Sequence, residues 1–153
     1  AVPLKSHEAF KKDHAAVGIK VDVVSKPWNG GYLDDASAGN YDAWLLGWTG
    51  DYNAADNFLG TFFSNYEQND FQTSAYPWGK KLSEDLKAAD AIVDEAARKA
   101  AYEQLNKQIA QEYIPGLPIS HSPPALVVSS KVQGLVASPL TAEMFDQVTV
   151  SSK

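Results

Sequence analysis

No cysteine occurs in the 153 residues. Disulfides, thiolate nucleophiles and cysteine-ligated zinc or iron–sulfur centres are therefore excluded, while the compartment stays open, since many exported proteins also lack the residue. Long apolar runs are missing as well. Pieces such as Ala43–Leu46 are far shorter than the roughly eighteen residues that cross a bilayer as a helix. Positive charge is scarce: 13 Lys and Arg stand against 19 Asp and Glu, and the basic residues form no dense patch beyond pairs such as Lys11-Lys12 and Lys80-Lys81. Nucleic acid and anionic membrane both need a positive footprint, so neither is an expected partner. An initiator Met is absent too; a start at Ala1-Val2-Pro3 is expected of a processed product or of a piece of a longer chain. What is present fits a folded domain, because 44% hydrophobic and 21% charged residues lie near globular averages and the length suits one domain.

Periodicity organises the chain. Phe10, His14 and Val17 sit at helical spacing over residues 6–17, with Ser6 placed to cap the start and Gly18 to end it. Ile19, Val21 and Val23 alternate with Lys20 and Asp22 as a strand would, and Gly30-Gly31 lead into a short helix over 32–38. The apolar run Asp42–Trp48 reads as a second strand covered on both faces, giving a right-handed βαβ unit. A short helix over 54–63 follows, then a polar and aromatic loop over 64–77 without periodicity. Two helices are predicted next, over 78–92 and from the cap Asp94, the second with Ala97, Ala101, Leu105 and Ile109 in one stripe that ends before Pro115-Gly116. Residues 117–121 and 125–129 read as strands around Pro123-Pro124, and the tail from Lys131 as loop with a last strand over 147–150. The layout is mixed α/β.

Most chemistries fail on motif grounds. No G-x-S-x-G elbow surrounds a serine, no phosphate-cradling glycine motif follows either predicted strand, and His7, His14 and His121 lack the spacing of a helical zinc pair. Asp51, Asn53 and Asp56 resemble a calcium loop but lack its central glycine and terminal glutamate. The distinctive piece is Gly47-Trp48-Thr49-Gly50-Asp51-Tyr52, an indole and a carboxylate at the end of a predicted βαβ strand, where ligands of open α/β sheets bind. A carboxylate there can pair with a ligand ammonium, and the indole can wall an apolar or cationic group. The same residues also fit a purely structural role, with Asp51 capping the helix near Ala54 and Trp44 and Trp48 in the core. Tyr66, Tyr76 and Trp78 suit either a carbohydrate platform or a lid over the domain's own core, and the pair Asp51 and Asp56 gives no reason to expect acid–base catalysis.

Several stretches resemble a known family. Residues 15–21, the run Tyr41 to Asp51, Asp56-Asn57-Phe58-Leu59, Tyr113-Ile114-Pro115, Leu117–Ser122 and Lys131-Val132-Gln133-Gly134 are similar, in order, to the C-terminal part of the dipeptide- and oligopeptide-type (family 5) solute-binding proteins of ABC importers. Gly-Trp-Thr-Gly-Asp is the most specific of them. The resemblance implies an α/β lobe of the type II periplasmic-binding-protein-like fold, a mixed sheet with flanking helices, with residues 1–153 making most of one lobe and the partner lobe absent. It implies a binder rather than an enzyme, without a cofactor or metal, outside the cytoplasm. A peptide ligand and a membrane permease are the implied partners. By the same resemblance Asp51 meets the peptide α-amino group, Trp48 walls the cleft, and Thr49 and Gly50 complete the contact run. Ala55 departs from the family, where proline is common. Related members carry nickel complexes, haem or oligosaccharides.

Overall fold

The computed structural model describes residues 4–140 and 142–151, and the chain divides into two compact units, residues 1–46 and 47–153. The length alone suggested one domain.

The first unit opens with α1 (Leu4–Ala16), ended by Gly18 at φ 84°, a left-handed position that glycine fills without steric cost. Ser6 therefore lies inside the helix rather than at its cap. A wide turn over Trp28–Tyr32, with Gly31 at φ 95°, feeds α2 (Leu33–Ser37), and Gly39 at φ 72° ends it. Side chains then close this segment on itself. Tyr32 stacks on Trp28 at 5.7 Å and its hydroxyl both donates to the Leu45 carbonyl (2.7 Å) and accepts from the Leu45 amide (2.9 Å). Asp35 pairs with Lys26 and accepts from the Tyr41 hydroxyl at 3.0 Å and the Asn40 amide at 3.2 Å. The Lys26 ammonium, followed by those two donors, holds the Asp35 carboxyl below the usual carboxylate range.

The predicted βαβ unit does not form. Residues 19–27 and 44–49 belong to no helix and have no ladder partner among the described residues. The alternation itself is real, since Val21 and Val23 are half-buried and Asp22 exposed. A period-two pattern states which face a strand would bury, but pairing needs a second backbone alongside, and Ile19 and Val24 remain more than half exposed. Residues 117–129 behave alike. They join no ladder among the described residues, and Leu117, Ile119 and Val127 are strongly exposed. Among the described residues the sheet is one antiparallel pair, β1 (Val132–Gln133) with β2 (Thr149–Val150), in the register Val132 to Val150. The expected mixed sheet with flanking helices is thus reduced to a two-stranded piece beside helices.

The second unit owes its core to three helices, α3 (Asp56–Phe63), α4 (Gly79–Asp90) and α5 (Glu95–Gln108), the last continued by a wider turn over Ile109–Tyr113. Asp94 caps α5 by accepting from the Ala97 amide at 2.8 Å, as its sequence position predicts. Leu82 and Leu86 are fully buried and meet Phe63, Tyr102, Leu105 and Ile109. The seam of α5 is therefore Tyr102–Leu105–Ile109; of the predicted stripe, Ala101 is half-buried and Ala97 exposed. The loop over 64–77 is ordered by Asn69. Its side-chain oxygen accepts from the Phe71 and Thr73 amides at 3.1 and 3.3 Å, its amide donates to the Asn65 carbonyl at 2.7 Å and to the Thr73 hydroxyl, and a 3-10 turn over Thr73–Ala75 follows. Phe71 folds inward onto Phe63 at 4.9 Å, a lid on the unit's own core.

Candidate functional site

The predicted site residues lie in the second unit, on the chain that leads into α3. Residues 47–49 lie outside any helix or strand, Gly50 is buried and makes an isolated parallel bridge to Leu140, and a series of bends carries residues 51–54 to the helix. A Cβ at Gly50 would stand 2.9 Å from the tip of the part-exposed Phe58 ring, which would have to shift. No sheet edge presents this run, so the topological argument for a ligand site at a strand end does not apply to it.

Asn57 organises the run instead. It sits in the first turn of α3, only 3% exposed, and its side-chain oxygen accepts from the Trp48 indole N–H at 2.9 Å and from the Asp51 backbone N–H at 3.1 Å. One acceptor thus fixes the plane of the indole and the direction of the chain at Asp51. Phe62 adds an edge-on contact to Trp48 with centroids 5.6 Å apart and planes at 78°. Trp48 nevertheless remains 42% exposed, and Thr49 and Asp51 are exposed as well. Trp48 is therefore no core residue, and the N-cap position of α3 falls at Ala55 rather than at Asp51. Sequence reading took Asn57 only as part of a resemblance. The available signal was an amide side chain just ahead of the apolar pair Phe58-Leu59, six positions after the carboxylate.

Next to this run the Tyr52 hydroxyl donates to Asp56 at 2.5 Å, and that carboxylate raises the phenol above its ordinary value, with Asn57 pulling the other way. The Asp51 and Asp56 pair considered for catalysis is hence occupied differently, with Asp56 engaged by Tyr52. The aromatic platform candidates separate. Tyr76, Trp78 and Tyr113 form a stack, with centroids 5.1 and 4.7 Å apart and planes within 11° and 10°, while Tyr66 is half-buried outside it. Rings stacked on one another spend their faces internally, whereas a sugar platform needs those faces free. Of the histidines, His14 bonds the Phe10 carbonyl at 2.8 Å and the buried His7 Nδ1 has no partner among the described residues. Among the described residues no three His, Asp or Glu side chains are grouped as a metal site needs, and no helix is long and apolar enough to cross a membrane.

The indole of Trp48 and the exposed Asp51 thus stand together beside a helix start, in a stretch that known proteins share. Residues 3–70 match the family described as bacterial extracellular solute-binding proteins, family 5 Middle. That match covers residues 3–70, and similarity to individual members extends over nearly the whole chain. A dipeptide-binding protein of Pseudomonas aeruginosa is 36% identical over 139 residues, covering 90% of this chain and 25% of that protein. The dipeptide-binding protein of Escherichia coli is 34% identical over 145 residues, covering 94% and 26%. Heme-binding protein A of Haemophilus influenzae is 26% identical over 151 residues, covering 99% and 27%. The chain spans about a quarter of the length of these curated relatives.

Proposed function

We propose that this chain forms most of one lobe of an extracytoplasmic solute-binding protein, type II in architecture, that captures small peptides and passes them to an ABC permease. Asp51 meets the peptide α-amino group, Trp48 walls the cleft beside it, and Thr49 and Gly50 complete the contact surface. The observation that carries this reading is the pairing of an exposed carboxylate run with a half-exposed indole, both held by the buried oxygen of Asn57. Fixing the indole wall and the chain at Asp51 before the ligand arrives lowers the ordering cost of binding. The dipeptide-binding names of the relatives support a peptide over the haem named for another. A second lobe closing over the ligand would strengthen the ion pair by removing water.

The test is Asp51→Asn in the longer protein that contains this chain. Calorimetry with dipeptides carrying a free or an acetylated amino terminus should show affinity for the free form falling by about ten-fold or more, as expected for loss of a charge-assisted contact. Equal affinity of the variant and the parent for the free form removes Asp51 from the peptide site.

A further inference from the structure

Asn57 grips the proposed solute site from α3, and a second support reaches it from a segment far along the chain. β1 and β2 pair at the base of the loop that joins them, and Gly134, at φ 79°, follows β1 where a Cβ would run into the Gln147 carbonyl. Within that loop Glu143 ties the chain back on itself. Its Oε2 accepts from the Ser138 amide at 2.7 Å, and the Ser138 hydroxyl accepts from the Leu140 amide at 3.0 Å. Leu140 in turn makes the isolated parallel bridge to Gly50, the residue just before Asp51.

The backbone at the site is thus held on two adjacent residues. Leu140 meets Gly50, and the side-chain oxygen of Asn57 accepts from the Asp51 amide at 3.1 Å. One attachment leaves a chain free to pivot about it; two set its direction. Gly50 is buried whereas Asp51 is exposed, so the hold falls on backbone and leaves Asp51 accessible. A carboxylate suits the far end of this chain of contacts, because a hydrogen bond from an amide to an ionised acceptor is stronger than one to a neutral oxygen.

We propose that Glu143 is a positioning residue of the solute site, fixing Gly50 through Ser138 and Leu140 and thereby setting where the Asp51 carboxylate stands. Its part in binding rests on the peptide reading given above; the coupling from Glu143 to the backbone at Gly50 does not. Without the Glu143 oxygen the Ser138 amide is released, the support at Leu140 loosens, and Asp51 must be ordered when the ligand arrives.

Hydrogen exchange and calorimetry on the longer protein that contains this chain test the two parts separately. Glu143→Ala should speed amide exchange over residues 48–52 by about five-fold or more with the rates over α4 and α5 unchanged, since a general loosening of the fold would move those helices too. Glu143→Gln keeps an acceptor oxygen and should hold the parental rates. For a dipeptide with a free amino terminus, Glu143→Ala should weaken binding about five-fold, but less than about two-fold once Asp51 is already Asn, because a group acting through Asp51 then has nothing left to position. Parental exchange over residues 48–52 in Glu143→Ala overturns the proposal. So does an equal loss of affinity in both backgrounds where Asp51→Asn by itself weakens binding. If Asp51→Asn binds as tightly as the parent, the peptide reading falls instead, and the exchange rates alone decide whether Glu143 sets the chain at Gly50.

Discussion

Replacing Asn57 by alanine removes one oxygen and strands two donors. The Trp48 indole N–H loses a 2.9 Å bond and the Asp51 amide a 3.1 Å bond, next to a glycine that is itself buried. An intramolecular hydrogen bond contributes a net ~1 kcal/mol, and a donor left buried without a partner costs ~1–3 kcal/mol. The indole is part-exposed and can turn to water, so its share lies at the low end; the Asp51 amide carries more. The sum is about 2 kcal/mol, roughly a thirty-fold fall in the ratio of folded to unfolded chain. Urea unfolding followed by tryptophan fluorescence measures it. A second readout separates positioning from mere stability: the Trp48 Nε1–H resonance, assigned through Trp48→Phe, should move to the frequency of a hydrated indole. Asn57→Asp keeps the acceptor and should recover at least half of the lost stability near neutral pH. A loss under about 0.5 kcal/mol with an unmoved indole resonance refutes the claim that one oxygen positions both groups.

Two other perturbations probe the scaffold. A Cβ on Gly79 would lie 2.0 Å from the buried Thr73 carbonyl oxygen, a backbone atom that cannot rotate away, so Gly79→Ala should destabilise by about 3 kcal/mol or more; a melting temperature within a degree of the parent contradicts that packing. Asp35 has its carboxyl lowered by Lys26, so the clasp it forms with Lys26, Asn40 and Tyr41 is fully present above the ordinary Asp range and is lost as pH falls through and below about 4. Hydrogen exchange at residues 32–45 should accelerate across that window, and Asp35→Asn should abolish the pH dependence; an unchanged profile in the variant assigns it to other groups.

Local signals were legible where the chain itself supplies the partner. Asp94 caps α5 because its own helix offers the Ala97 amide, and Gly18 and Gly39 end helices because their φ values require no neighbour. Strands were not legible in the same way. The alternation at Val21 and Val23 and the apolar residues over 117–129 describe surfaces that could pair, but a ladder depends on a second backbone whose position no local pattern encodes. The site divides likewise. Trp48 and Asp51 were recognisable as residue types in a motif, whereas Asn57 gains its role only when the helix start folds back to both of them, six and nine residues away in sequence.

The three-ring stack of Tyr76, Trp78 and Tyr113 ties the end of the loop, the start of α4 and the turn after α5 into one chromophore assembly. Electronic transitions on parallel rings at such separations mix, and the resulting ellipticity vanishes once the rings drift apart even if every helix survives. The second unit thereby carries an intrinsic optical gauge of tertiary order, distinct from the far-ultraviolet signal of its backbone.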